Sequence, residues 1–253
     1  MKIDLISYVN ELSDNVNLLN KKRLELTIDL INSSTVDLIL FSGHTIGFVN
    51  DIEELKNRIT NTKTEVIFEL KDINSKKINN CLYRIKRAQI QNMYTHQLFT
   101  ESYEIEGNYQ LAEILINELE TKRSIKIKNK KFVILQCGEL NILKNLQKQN
   151  NKVEFRLSDD KQLKERFHSI LENADIILNP IHTPMGNQGK MLKRREFLTK
   201  NKKYYFSTSN TSTNSSNLNL SSIQYAFCNQ KKLNPIHTEL IEDNFIRRTF
   251  DIE

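Results

Sequence analysis

The chain has no tryptophan, three prolines, six glycines and three cysteines among its 253 residues. The cysteines, Cys81, Cys137 and Cys228, are odd in number and far apart, so they form neither a disulfide framework nor a zinc-finger spacing. A reducing cytoplasm is the expected address. So few glycines leave no phosphate-cradling Gly-rich loop, which argues against a nucleotide fingerprint. No apolar run approaches a bilayer span; residues 36–41 are typical of the longest and are strand-sized. The opening residues turn polar too early for a secretory signal. These absences lead us to expect no membrane, no cofactor and no metal.

What is present describes a folded chain. At 38% hydrophobic and 27% charged, wholesale disorder is excluded. The length suits one large α/β domain, and with no linker in sight one domain over residues 1–253 is expected. Lys+Arg number 37 against Asp+Glu 31, a formal charge of +6. That excess is modest for a nucleic-acid binder, and residues 121–131 and 190–203, where bases concentrate, lack interleaved aromatics. They read as solvated faces, so nucleic acid is not an expected partner.

Apolar strand-like runs recur, separated by stretches of helical period. Residues 36–41, 64–70, 131–136, 174–180 and 203–208 read as strands, and part of another falls within 81–90. Helices are expected after the cap residues Asp14 or Asn15, from Gly107, from Asp159 and over 185–201. Several strands are apolar at every position, which requires cover on both faces. Residues 207–222, rich in Ser and Asn, read as a long polar loop outside the core.

In such sheets chemistry gathers at the carboxyl ends of strands. Three ends stand out: Phe41-Ser42-Gly43-His44, Gln136-Cys137-Gly138-Glu139 and Asn179-Pro180-Ile181-His182. Cys137 directly follows a strong strand, and Gly138 allows the tight turn that would expose a nucleophile. A thiol reacts as thiolate and needs a base or a positive neighbour. The bland alternative is a buried cysteine packing as a small apolar residue.

The order of elements resembles the nitrilase, or carbon–nitrogen hydrolase, superfamily over nearly the whole chain. Residues 137–141 are similar to its nucleophile turn, 172–180 to the strand that follows, 194–210 to the late helix and strand ending in Asn210, and 248–252 to its closing strand. The resemblance implies a four-layer αββα sandwich, usually dimerised, that cleaves amide-like small molecules with a Glu base, a Lys and a Cys. Only the Cys matches. Gly43 stands where the family has its Glu after the second strand, and Thr95 stands at the Lys position ahead of His96-Gln97-Leu98-Phe99. A supporting Glu of the family corresponds to Glu101.

Losing an oxyanion-stabilising group costs about 10²–10³ in turnover, and losing a general base roughly another 10²–10⁴. Hydrolysis therefore needs replacements, and His44, His96, His182 and Glu139 are the candidates. Zinc held by Cys137 and these histidines matches no finger spacing. Two functions stay open: a thiol-dependent carbon–nitrogen hydrolase, or an inactive relative that binds a small molecule or a protein partner.

Overall fold

The computed structural model describes residues 1–8, 16–43, 51–72, 79–184, 186–211, 219–241 and 245–253. In chain order the first half comprises β1 (Lys2–Tyr8), α1 (Val16–Ser33), β2 (Leu38–Phe41), α2 (Ile52–Arg58), β3 (Glu65–Asp72), β4 (Asn79–Lys86), β5 (Gln89–His96), α3 (Ser102–Ile105) and α4 (Tyr109–Thr121). There follow β6 (Ser124–Ile127), β7 (Lys130–Ile134), β8 (Leu143–Leu146), β9 (Lys152–Phe155), α5 (Lys161–Asn173), β10 (Ile176–Ile181) and α6 (Gln188–Leu198). The chain closes with β11 (Tyr204–Ser209), β12 (Gln224–Cys228), β13 (Lys231–Lys232), β14 (His237–Ile241) and β15 (Phe245–Asp251).

Two sheets carry the molecule. The first runs β14-β15-β1-β2-β3-β4-β5, the second β13-β12-β11-β10-β7-β6, and β8 pairs with β9 separately. At the centre of each, three strands are parallel: β1, β2 and β3 in one, β7, β10 and β11 in the other.

Side-chain alternation explains why these strands read as continuously apolar. In β1, Ile3 and Leu5 face the opposite sheet while Ile6 and Tyr8 face helix; in β2, Leu38 and Leu40 divide from Ile39 and Phe41 in the same way. The inner layer joins Ile3, Leu40, Ile67, Phe132, Ile134, Leu178 and Phe206 between the sheets. One outer layer packs α1 and α2 on the first sheet, and the other packs α3 to α6 on the second. The result is the expected four-layer αββα sandwich. Each fully buried Leu, Ile or Phe adds about 1.5–3 kcal/mol against exposure.

Elements begin where side chains satisfy the first free N–H groups. Asn108 caps α4, Asp160 caps α5 and Asn187 caps α6, each accepting a backbone N–H three residues on. The expected caps Asp14 and Asn15 lie outside the described residues. Residues 81–90 belong to two strands, β4 and β5.

The Ser/Asn-rich loop begins later than its composition predicts. Ser207, Thr208, Ser209, Asn210 and Thr211 are buried, because the inner layer turns polar towards the carboxyl ends of the parallel strands. There Ser7 Oγ meets Thr208 Oγ1 at 2.8 Å, and Gln224 Nε2 donates to Ser7 Oγ and the carbonyls of Leu5 and Ile246. These residues hydrogen-bond one another across the sheets, which is how polar groups become core. Residues 212–218 lie outside the described set. Among the described residues, no helix is long and apolar enough to cross a membrane.

Candidate active site

Cys137 opens a 3-10 turn, Cys137–Ile142, just past β7, and its φ is +31°. This left-handed backbone is costly for a residue with a Cβ and persists only where neighbours over-determine it. They do so here. Asn179 Nδ2 donates to Leu135 O (2.6 Å) and Cys137 O (3.4 Å), while Tyr205 holds the Asn179 oxygen. Glu139 Oε2 accepts from Gln136 N at 2.8 Å. A Cβ on Gly138 would lie 2.1 Å from Thr100 O, so only glycine allows the turn to press against that strand exit.

His182 follows β10, and its Nε2 lies 2.8 Å from Glu69 Oε2. The same imidazole is hydrogen-bonded to Cys137. Glu69, on β3, has no exposure, and its other oxygen accepts from Gln136 Nε2 at 2.8 Å. A thiol, an imidazole and a carboxylate are thus linked in a row, with the carboxylate supplied by the opposite sheet. Burial alone would drive the His182 pKa down, but the charge of Glu69 and the hydrogen bonds and charge of Cys137 and Glu69 outweigh it and push it up to about 10.

The two sheets are stitched at this end. Gly43 N donates to Ile181 O at 3.0 Å. Asn210 accepts from Tyr8 N and Ser42 Oγ, and donates to Gly43 O at 2.6 Å. Gly43 is also where the ring of His182 finds room: a Cβ there would fall 1.9 Å from its Cδ2 and 2.9 Å from Glu69 Oε2. The imidazole fills the space into which a side chain at position 43 would rise.

The other sequence candidates are placed as follows. His44 lies outside the described residues. His96 is exposed at the end of β5, and its carbonyl accepts from Arg123 Nη2 at 2.7 Å. Glu101 is exposed at the rim, immediately before α3. Glu139 is wholly buried, paired with the equally buried Arg123 and accepting from Leu98 N. Thr95 is buried against the same guanidinium, accepting from Arg123 Nε at 2.7 Å and hydrogen-bonded to Glu118. Burial raises the Glu118 pKa, but Thr95 and Arg123 more than reverse this and hold it below the ordinary carboxylate range.

Cys137 and His182 open onto a cavity of about 580 Å³, a size suited to a small molecule. Its wall is strongly polar and includes Lys144, Arg156, Lys190 and Arg194, with Glu101 at its edge. Among the described residues, no cluster of His, Cys, Asp and Glu could hold a metal ion.

No protein-family model matches the sequence, and no curated protein matches it. Solved structures do. The chain is similar over 100% of its length to a glutamine-dependent NAD(+) synthetase from Cytophaga hutchinsonii, at TM-score 0.56 and 12% identity, and spans only 43% of that chain. It is similar over 99% of its length to 90% of XC1258 from Xanthomonas campestris, a CN-hydrolase superfamily protein with an arsenic adduct in its active site (TM-score 0.53, 10% identity). A third neighbour is an amidase from Nesterenkonia sp. AN1 with acrylamide added at its active-site cysteine, matched at TM-score 0.54 and 10% identity over 100% of this chain and 93% of that one. At these identities the likeness is one of fold: the chain has the nitrilase-like αββα fold of the carbon–nitrogen hydrolases.

Proposed function

We propose that this chain is a thiol-dependent hydrolase of a non-peptide carbon–nitrogen bond, of amidase type. In this reading Cys137 is the nucleophile, His182 carries the proton, and Glu69 orients His182 and balances its charge. One observation carries the reading: a single imidazole is hydrogen-bonded both to the cysteine and to a carboxylate with no exposure. A buried carboxylate of this kind is costly unless paired, and its partner is the base the thiol needs.

The chemistry balances as an acyl transfer to water. Cys137 gives its proton to His182, and the sulfur attacks the amide carbon. A C–S bond forms while the carbonyl electron pair moves to oxygen, which in this reading meets the N–H groups of the turn that lines the cavity beside Cys137. Collapse restores the carbonyl and breaks the C–N bond, and the leaving nitrogen takes the His182 proton. Acylation removes the sulfur's charge, so one influence that raises the His182 pKa disappears when the group must act as a base. Neutral His182 then takes a proton from water, whose oxygen attacks the thioester. The C–S bond breaks, and the products are a carboxylic acid, the amine and free Cys137.

This triad differs from the one that the resemblance implies, since Gly43 and Thr95 stand where a Glu and a Lys are expected. Of the replacement candidates His44, His96, His182 and Glu139 it takes His182, and it adds Glu69. The same reading takes a small-molecule amide as ligand and a homodimer in the cytoplasm as the working form.

Thr95 favours a second reading. The cation nearest to it, Arg123, is committed to Glu139, Glu118, His96 O and Thr95 itself, so no Lys-like group is offered to an oxyanion from that side. A pocket that binds an amide without cleaving it, or a protein-interaction module, would result. Ammonia release from a panel of primary amides separates the two. Turnover abolished by Cys137→Ala and lowered about 10²-fold or more by His182→Gln is expected. Cys137 should also react with iodoacetamide at pH 7 at least about tenfold faster than Cys81 and Cys228. Equal labelling of all three thiols, with no ammonia from any amide, would establish the binding module instead.

A further inference from the structure

Arg194 is a buried charge with no described carboxylate partner. It lies on α6, is only 6% exposed and lines the cavity that Cys137 and His182 share. Its Nε donates to Asn145 Oδ1 at 3.0 Å, and its Nη1 to Asn141 Oδ1 at 2.9 Å and Leu140 O at 3.3 Å. These acceptors are neutral. Among the described residues, no carboxylate lies within 4 Å of the guanidinium, and Nη2 has no hydrogen-bond partner. Buried guanidiniums are normally paired, because an uncompensated charge in a low-dielectric wall is costly. Here the neighbouring charge is of the same sign: burial first, and Arg156 second, depress the Arg194 pKa to about 10.

The surroundings repeat the pattern. Arg156 and Lys144 on the same wall are answered by Glu106 and Glu154, whereas Lys190, like Arg194, has no described carboxylate partner. Asn187, Lys190, Met191 and Arg194 follow one face of α6, so the helix presents its N-terminal turn and two unpaired cations to one cavity. Glu101 is the sole carboxylate among the described lining residues and is exposed at the rim.

We infer that the substrate of this site is an anionic amide, whose carboxylate or phosphate group is bound by Arg194 and Lys190 while its amide carbon meets Cys137. This rests on the hydrolase reading for the second clause only; the anion site stands on Arg194 by itself. The two N–H groups of Nη2 remain for the anion's oxygens, and the Lys190 ammonium supplies the second cation.

Two measurements test it. On the Cys137→Ala protein, calorimetric titration with succinate, glutarate and inorganic phosphate should detect binding by at least one anion. Arg194→Met should weaken that binding at least tenfold, and Lys190→Ala provides a second variant if Arg194→Met does not fold. Binding by the dicarboxylates identifies a carboxylate substrate, and binding by phosphate a phosphorylated one. On the active protein, kcat/KM for succinamate or glutaramate should exceed that for neutral butyramide at least tenfold, with the ratio collapsing in Arg194→Met. If no anion binds while butyramide is hydrolysed, the inference is overturned and the hydrolase reading survives. If anions bind through Arg194 but no amide is cleaved, the anion site survives and the hydrolase reading falls.

Discussion

The ionisation of His182 has consequences that a titration can read. Its pKa in the fold, about 10, exceeds the ordinary value of roughly 6.5 because Glu69 and Cys137 favour the imidazolium. A group whose pKa rises on folding stabilises the fold fully below its unfolded value, and that contribution is lost as pH climbs through the folded one. Urea unfolding of the wild type and His182→Gln should therefore differ most near pH 6, with the gap closing between pH 7 and 10. A gap that widened with pH would contradict the charge assignment. At this scale the sequence was informative about the two residues that follow strong strands, Cys137 and His182, because a strand end announces itself by pattern. Nothing in the chain marked Arg194 as buried, since a base among the seven in residues 190–203 looks like a solvated helix face until packing is known.

Between elements, the burial of Arg123 explains how the turn that begins at Cys137 is fixed. The guanidinium sits at the junction of α4 and β6, donating to Glu118 of α4, to Thr95 and the His96 carbonyl of β5, and to Glu139 in the turn. Its removal leaves the wholly buried Glu139 without a cation and Glu118 with Lys122 alone. Arg123→Met should cost about 3–5 kcal/mol in urea unfolding. Adding Glu139→Gln should recover part of this, and strictly additive losses would show that the two side chains do not act as a pair. The sequence placed Glu139 among the catalytic candidates for its nearness to Cys137, yet on a tight turn two residues of separation point side chains in different directions. Strand and helix positions were largely legible through period and caps. The buried Ser207–Thr211 stretch was not, because polar composition normally signals solvent and these residues are satisfied by the facing sheet.

For the molecule as a whole, the stacking of two sheets is what creates the site. Glu69 follows Ile67 on the inward face of β3, two positions further along, and reaches Gln136 and His182 of the other sheet. Within the run Glu65 to Leu70 it reads as one of two acidic residues in an otherwise apolar strand, and no spacing within the sequence connects it to position 182. Pairing between sheets is invisible to local pattern; strands apolar at every position announced cover on both faces, and the four-layer αββα arrangement was implied by the family resemblance. Glu69→Gln retains an inter-sheet hydrogen-bonding group while removing the charge beside His182. Alkylation of Cys137 by iodoacetamide at pH 7 should slow at least about tenfold, with the urea midpoint shifting less than in Glu69→Ala. Equal reactivity in wild type and Glu69→Gln would show that the carboxylate serves the fold alone.

Position 43 and the imidazole compete for one space. With only 1.9 Å between a would-be Cβ and the ring, any side chain at that position and the present ring pose are mutually exclusive. Even an alanine there would have to turn the histidine away from Glu69, so the absence of a single methyl group just past β2 is a condition for the contact between the sheets.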